Sequence, residues 1–383
     1  MIREGFMQIG EWDLTLSAEA PMSVRSDVAH YWQLIVTPSR VPGLDASRSD
    51  VVANARYRGV LLEMSDDRTR LSGAGMLHYL TWSENEDPGP PSATAWDWSD
   101  YVLEMESNHS QWTQVGLDLA AVVDEPADTW PDSTADSSDD LPTNMFEELL
   151  FLAGVLGVEF RVDPDRTFRA GGAGSSSLWT TTPDVILMRG QDGRDIDLIG
   201  LRLVEWGVDY DAWDHATSVS VYGTGGASAT TSVSFDSYAA DGSASTREVI
   251  EISTTIDNAT DAGRRAEAIA AEHERRRVVA VSVDEPDPGR WIRPGDWLWA
   301  FDPVNDITNL TQATYYHGMH VNPEKLRLYG MRWPIAQGMG VYLVNKDSAA
   351  SPEVIDVTDF VVWEDGPTTF EVDAPRRAAL GGV

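Results

Sequence analysis

The sequence predicts a mainly β protein with α+β insertions: two small β-barrel or sandwich domains and a helix–hairpin domain. Three observations support this class. Most apolar stretches are short, alternate with polar residues and end at turn residues, a pattern typical of strands. A strong helical period occurs at only two places. The length of 383 residues and the 42% hydrophobic content allow two to four domains with their own cores.

The first β-barrel domain is expected over residues 1–110. Strands are predicted over 11–17 and 31–38, where apolar residues alternate or run on until turn residues follow. A hairpin is predicted around 65–67, with a short turn or helix after it. A Pro-rich loop at 84–99 follows this hairpin.

The helix–hairpin domain is expected over 111–195. Its first part holds a predicted helix at about 110–123 and an acidic, Pro-containing stretch at 124–142. The acidic stretch has almost nothing to bury, so we expect a mobile loop that folding does not require.

The clearest part of this domain is a helix followed by a hairpin. Thr143 can cap the helix, which Gly154 or Gly157 ends. A strand is predicted at 158–162, and the turn at 164–167 leads into another strand. The residues expected on the apolar face of the helix are Phe146, Leu149, Leu150 and Ala153.

The second β-barrel domain is expected over 196–346. Strands are predicted within 184–223, at 278–283 and from 297 onward. The Gly/Ser/Thr-rich tract at 223–237 indicates a hairpin tip or a flexible connection.

The strongest helix of the chain is predicted within this domain, over 259–277. Asn258 or Thr260 caps it, Asp261 lies in its first turn, and its closing arginines face the negative end of the helix dipole. The small residues expected to pack closely against a neighbour are Ala262, Ala266, Ile269 and Ala270.

The last segment, 347–383, is expected to be a C-terminal hairpin extension. Two strands, 359–364 and 368–373, are joined by a short turn, and Phe360, Val362 and Phe370 are predicted to form the apolar face. A lone hairpin is marginal in water, so it needs a surface to lie on. Deleting the segment is expected to leave self-association intact and to impair the attachment of another protein.

The composition limits the partners. The formal net charge is −34, from 62 acidic and 28 basic residues, which repels nucleic-acid phosphates and anionic lipids. Such a surface still suits a conduit through which DNA passes without sticking. Cysteine is absent, which excludes disulfides, cysteine zinc sites and thiol nucleophiles. No apolar run long enough for a membrane span and no secretory signal is expected.

Sites for chemistry are weak in this sequence. Neither Gly-rich run, 170–177 or 222–229, has the ending of a phosphate-binding loop, and no nucleophile–base pair stands out. His317 and His320 are expected on opposite faces of a strand, which does not suit a shared metal. Two acidic clusters invite a calcium site but lack EF-hand spacing, and solvated carboxylates explain them better: Asp192, Asp195 and Asp197, and Asp209, Asp211 and Asp214. We therefore expect no enzyme, catalytic residue, cofactor or metal.

The candidate interface lies at residues 294–301. Pro294, Gly295 and Asp296 predict a tight turn in which the Asp296 carboxylate bonds back to turn amides. The strand after it carries aromatic residues at every second position, on the face opposite Leu298 and Ala300: Trp297, Trp299 and Phe301.

Two interpretations of this aromatic face stay open, packing against a neighbouring subunit and a platform for sugar. The intervening residues are apolar, which favours packing, and a buried Trp299 would then cost ~3–5 kcal/mol on truncation to Ala. The 15 tryptophans of the chain favour a recognition role without choosing a partner.

The order of the elements resembles that of a known family. "ARYRGVL" and "LSGAGMLHYL" are followed by "FEELLFLAGVLGVEFRVDPDRTFRAG", "DAGRRAEAIAAEHERRR", "IRPGDWLWAFDP" and "GMHVNPEKLRLYGMRWPIAQGMGVY". This series, over roughly residues 30–345, is similar to the tail hub proteins of tailed bacteriophages. The resemblance is strongest to minor tail proteins of long non-contractile-tailed phages of actinobacteria, relatives of the baseplate hubs of contractile phages.

The resemblance implies a homotrimer at the tail tip of a virion. Each subunit would contribute two related β-barrels to a ring that joins the sixfold tail tube to the threefold tip and lets DNA through during ejection. Its neighbours would be the distal tail protein ring, the tape measure protein and tail fibre or receptor-binding proteins, and genomic DNA would pass without specific binding. The alternatives are a carbohydrate-binding or carbohydrate-active tail component and a peripheral fibre adaptor.

Overall fold

The structure is a computed structural model. It describes residues 1–21, 28–41, 48–82, 144–156, 158–172, 178–179, 185–189, 199–210, 216–232, 248–253, 256–272, 277–283, 292–301, 314–316, 319–321, 324–345, 354–364 and 366–374. The helix expected at 110–123 and the acidic stretch 124–142 lie outside these residues, so both stay predictions.

Strands dominate the described chain, which confirms the mainly β class. The strands, in chain order, are β1 (Ile2–Gly5), β2 (Glu11–Thr15), β3 (Gln33–Thr37), β4 (Tyr57–Met64), β5 (Arg70–Gly75), β6 (Val158–Val162), β7 (Phe168–Gly172), β8 (Val185–Arg189), β9 (Ile199–Tyr210), β10 (Ser218–Tyr222), β11 (Ser228–Ser232), β12 (Glu248–Ile252), β13 (Arg277–Val283), β14 (Trp297–Phe301), β15 (Thr314–Tyr316), β16 (Met319–Val321), β17 (Glu324–Trp333), β18 (Gly340–Val344), β19 (Val354–Asp356) and β20 (Thr368–Ala374). The helices are α1 (Arg48–Ala53), α2 (Met145–Leu156) and α3 (Ala259–Glu272), and short 3-10 turns lie at Met76–Trp82, Thr224–Gly226 and Thr358–Phe360.

Strands from both β-rich regions of the sequence form one sheet of 13 strands. Its order is β14-β8-β9-β13-β20-β17-β1-β2-β5-β4-β3-β18-β19, and β14 pairs additionally with β17. The two regions were expected as separate small barrels or sandwiches, and the antiparallel β1–β17 pair joins them. Backbone hydrogen bonding therefore runs without a break from the first residues to the second region, while the four-domain division itself stays a prediction.

The C-terminal segment enters the same sheet. β19 pairs with β18, and β20 lies between β13 and β17. The hairpin expected from 359–364 and 368–373 is not formed, because 358–360 is a 3-10 turn and β20 pairs elsewhere. Phe370 is fully buried in the main core, whereas Val362 is exposed. The apolar pattern of β20 thus places Phe370 in the main core.

The main core lies against this sheet around two tryptophans. Trp12 and Trp333 are fully buried, and the Trp12 indole N–H donates to the Val60 carbonyl at 3.2 Å. The indole lies over Gly73, where an added Cβ would overlap the Val60 carbonyl oxygen. Gly73 is therefore required by the close approach of the Val60 carbonyl and of the Trp12 ring.

The expected helix–hairpin unit is present as α2, β6 and β7. The amide of Glu147 donates to Asn144 Oδ1 at 3.0 Å, so Asn144 lies at the cap, one residue after the expected Thr143. β6 and β7 form the hairpin, and Phe160 stacks on Phe168 with ring centroids 5.6 Å apart. The expected apolar face is inward: Phe146, Leu149 and Ala153 are buried, and Leu150 is partly buried.

The helix α3 packs on a separate sheet of β11, β10 and β12. Asn258 is its cap, since its Oδ1 accepts from the Asp261 amide at 2.9 Å. The predicted stripe of small residues is buried: Ala262, Ala266, Ile269 and Ala270. The helix is described as far as Glu272, and Arg277, the last residue predicted for it, belongs to β13 instead. No described helix is long and apolar enough to cross a membrane.

Candidate functional site

The candidate interface begins at a turn that completes the hydrogen bonding of β17. One edge of β17 pairs with β14 through 324–327 and with β1 through 330–333. Between these partners, the Gly295 amide donates to the Leu328 carbonyl at 2.6 Å, and the Leu328 amide donates to the Asp296 carbonyl at 2.9 Å. The Phe6 amide donates to the Tyr329 carbonyl at 2.7 Å. We call this place, where both β-rich regions meet on one strand, the β17 junction.

The turn itself has the geometry that the sequence predicts. Asp296 is buried, and its Oδ2 accepts from the Arg293 amide at 3.0 Å. Gly295 has φ +100°, a conformation that favours glycine, and an added Cβ would overlap the ring of Trp179. Pro294 is buried beside it. The turn is therefore fixed by its own carboxylate and by an indole from a distant part of the chain.

The strand after the turn has two different faces. Leu298 and Ala300 are fully buried in the main core, whereas Trp297, Trp299 and Phe301 are only half-buried. The amine of Lys325 lies 4.8 Å from the centroid of the Trp297 ring. The aromatic face is thus the outer face of β14 in the isolated chain, and whether a neighbour covers it stays a prediction.

A buried ion pair anchors the β17 junction from the hairpin side. The Arg327 guanidinium donates to both carboxylate oxygens of Glu159, at 2.7 and 2.6 Å. Its Nε donates to the Gly295 carbonyl at 3.2 Å, and its Cζ lies 4.3 Å from the Phe6 ring centroid. Fork-to-fork geometry of this kind fixes orientation as well as supplying energy. Arg327 therefore links β17 to the turn and to β6.

A second cluster of charges surrounds Asp163, at the end of the β6–β7 hairpin. Arg169 Nε lies 2.5 Å and Arg293 Nη1 2.8 Å from its oxygens. Arg161 Nε lies 2.9 Å away, in ion-pair contact without the alignment of a hydrogen bond. Burial, and then the charge of Arg293, lower the pKa of Arg161 below its usual value. One carboxylate thus faces three guanidiniums.

The turn and its strand are predictable from the sequence, but their partners are not. Lys325 and Arg327 follow a period of two that places both on one face of β17, a signal visible in the sequence. Glu159 and Trp179 carry no such signal, because they lie far from β17 in the sequence and meet it only through the fold. The site is built by chain topology more than by local pattern.

The residues considered for metal or catalysis are not brought together in the described structure. Asp209 lies in β9 opposite Val278, and His320 pairs with Tyr315 in the β15–β16 hairpin, where one continuous strand was expected. Within the described ranges, no group of three His, Asp or Glu side chains is placed to hold a metal. The residues that fall outside those ranges are Asp192, Asp195, Asp197, Asp211, Asp214 and His317.

Comparison with known proteins gives a likeness of fold. No family model and no curated protein sequence matches the chain. A tail protein from Neisseria meningitidis MC58 has a similar structure, with a TM-score of 0.51 at 12% identity, covering 95% of this chain and 96% of that one. At this identity the likeness shows the fold alone.

Two further solved structures have lower scores. The 43 kDa tail protein of prophage MuSo2 from Shewanella oneidensis has a TM-score of 0.49 at 11% identity and covers 97% of this chain and 92% of that one. The prophage tail protein gp18 from Listeria monocytogenes EGD-e has a TM-score of 0.44 at 10% identity, with coverages of 98% and 88%.

Proposed function

We propose that the chain is a structural component of a bacteriophage-type tail and, within the tail, the hub rather than an enzyme. The observation that carries this proposal is the likeness of fold to the Neisseria meningitidis tail protein, which extends over nearly the full length of both chains. A local fold shared by chance would cover one domain, whereas this likeness includes both β-rich regions and the helix–hairpin unit between them.

The hub proposal adds a homotrimer in the form of a ring. Two features of the isolated chain support burial against further subunits. The aromatic face of β14 is half-buried, and β12, the outer strand of its described sheet, carries Ile250 and Ile252 with 57% and 80% exposure. Exposed apolar edge strands are a liability that assembly removes.

The proposed ring joins the sixfold tail tube and distal tail ring to the threefold tip. Its neighbours are then the tape measure protein and tail fibre or receptor-binding proteins, and its lumen conducts DNA during ejection. The net charge of −34 supports a lumen without specific DNA contacts, because acidic side chains repel phosphates.

The position in the virion tests this proposal. Antibody against the chain, carrying gold, is applied to purified particles and viewed by electron microscopy. The proposal predicts label at one level, at the tail tip. Label repeated along the tail tube, or confined to the capsid, contradicts it.

The half-buried rings of Trp297 and Trp299 keep a carbohydrate-binding tail component as the second candidate. Two cations lie over the Trp297 ring, Lys325 at 4.8 Å and Arg327 at 5.7 Å from its centroid, where sugar platforms usually place amides and carboxylates. Titration with host cell-wall glycans separates the candidates. Saturable binding that Trp299→Ala abolishes favours the carbohydrate role, and its absence favours the hub.

A further inference from the structure

A cavity of about 190 Å³ lies beside the β17 junction, at the meeting point of six parts of the chain. Its walls come from β1 and the segment after it, the beginning of β4, the end of β5 with the turn that follows, the β6–β7 hairpin, Trp179 and the turn before β14. We call it the arginine cavity and define it by Arg56, Tyr57, Arg58, Arg161, Trp179 and Arg293. None of these residues is predicted as a site residue from the sequence alone.

The walls of this cavity carry an excess of positive charge. Four guanidiniums line it, against the carboxylates of Glu4 and Asp163. Arg58, only 3% exposed, donates from Nε to Gln33 Oε1 at 2.9 Å and from Nη1 to the Pro164 carbonyl at 3.4 Å. The charge of the cavity walls is therefore opposite in sign to the net charge of the chain, −34.

Two residues that line the cavity carry buried donors that have no hydrogen-bond partner within the described part of the chain. The donors are the Tyr57 hydroxyl and the Trp179 indole N–H, on residues 4% and 3% exposed. Burial first, and then the charges of Glu4 and Glu11, raise the pKa of Tyr57 well above its usual value, so the hydroxyl keeps its proton. Leaving such donors unsatisfied costs free energy in proportion to their desolvation.

A similar set of donors binds one of the protein's own carboxylates, Glu4, next to the cavity. Trp333 Nε1 donates to Glu4 Oε2 at 2.7 Å, and Arg56 Nη2 lies 3.3 Å from the same oxygen. An indole N–H and a guanidinium thus share a carboxylate oxygen next to the cavity. Trp179, with the Arg161 guanidinium 5.0 Å from its ring centroid, offers the same donor types toward the cavity.

We propose that the arginine cavity binds a small oxyanion, a carboxylate or a phosphate, through the Tyr57 hydroxyl, the Trp179 N–H and the surrounding guanidiniums. Charged acceptor oxygens satisfy both neutral donors and offset the excess of arginine. Water alone is the competing occupant. A single water needs only ~10–15 Å³, so the cavity has room for a polyatomic anion. This proposed binding site does not depend on the proposed tail function, so a test of one does not decide the other.

Calorimetric titration of the full chain with sodium malonate and, separately, with sodium phosphate tests the proposal. Ionic strength is held constant with sodium chloride. We expect saturable binding of at least one of the two anions, and the preferred anion identifies the source of the oxyanion. Tyr57→Phe keeps the ring and removes the donor, so it should raise the Kd about ten-fold, the effect of one hydrogen bond to a charged group. Arg293→Gln should weaken binding by a similar factor.

The matched control is Arg40→Gln, at an arginine that bridges Asp356 and Asp359 outside the cavity. It should leave the Kd unchanged, and circular dichroism shows that each variant is folded. Binding that is equal in wild type and Tyr57→Phe, or heat effects that sodium chloride reproduces, overturn the proposal. So does a high-resolution structure in the presence of both anions in which the cavity holds only water.

Discussion

Gly295 shows how a single residue determines the geometry of the β17 junction. Its φ of +100° turns the chain so that its own amide and the Asp296 carbonyl meet Leu328, and its missing side chain makes room for Trp179. The lack of a Cβ at this position therefore permits both the positive φ and the close packing of Trp179.

Gly295→Ala is therefore expected to destabilise the chain by about 3 kcal/mol, from a strained backbone together with a steric overlap. Chemical denaturation measures the free energy of unfolding. The matched control is Gly338→Ala, because Gly338 has φ +102° and open space around its Cα. It should cost only about 1–2 kcal/mol. Equal losses at both positions would show that the Trp179 contact contributes nothing.

His78 should make stability depend on pH. Its Nε2 accepts from the Trp82 indole at 3.0 Å, and burial lowers its pKa below the usual value. Below an unfolded-state pKa of about 6.5, the unfolded chain takes a proton that the folded chain resists. The contribution of His78 is therefore complete above the unfolded-state pKa and is lost as the pH falls from there through the lower folded-state pKa.

The test compares the free energy of unfolding at pH 7.5 and pH 5.5 for wild type and His78→Gln. Glutamine keeps an acceptor for Trp82 and cannot be protonated in this range, so the variant should lose less stability on acidification. An equal loss in both proteins would mean that His78 plays no part in the pH dependence.

At the scale of elements, β14 shows what the period of two could and could not predict. The alternation placed Leu298 and Ala300 on one face and the aromatic residues on the other, and the structure puts the smaller residues in the core. Trp299 is half-buried within one chain, and its burial against a neighbouring subunit stays a prediction. The pattern defines two faces, and only the fold decides which of them is inside.

Substitutions at adjacent positions of β14 separate core from interface. Leu298→Ala should cost about 2–5 kcal/mol in the isolated chain, because its side chain is fully buried in the main core. Trp299→Ala should cost clearly less there and should weaken self-association instead. Unfolding curves at low protein concentration give the first quantity and sedimentation gives the second. A larger stability loss for Trp299 than for Leu298 would contradict this assignment of faces.

β20 changes the expectation for the C-terminal segment. As a hairpin extension it could be removed without damage, but β20 lies between β13 and β17 with Phe370 and Val372 in the core. Deleting 347–383 should therefore abolish soluble folded protein. Deleting only 375–383, after the last described pairing at Ala374, should leave the fold intact. A soluble, cooperatively folding product of the longer deletion would show that the second region does not need β20.

At the scale of the whole molecule, local patterns predicted elements well and their assembly poorly. The cap Asn258 and the stripe from Ala262 to Ala270 identified α3, because both signals lie within a short stretch of the sequence. The joining of Ile2 to Trp333 across β1 and β17 has no local signal, since side chains of that pair carry nothing that marks them as neighbours. The same reason explains why Trp179 and Glu159 were missed at the β17 junction.

The central claim, a trimeric tail hub, makes a direct prediction about mass. Three 42.1 kDa chains give an assembly of about 126 kDa. Sedimentation velocity of the purified chain over a wide range of concentration measures this mass without a partner or a label. The account predicts a species of three chains. The Trp299→Ala trimer should dissociate at a higher protein concentration than the wild-type trimer. A chain that stays monomeric at every concentration, or that closes into a stable hexamer, would contradict the account.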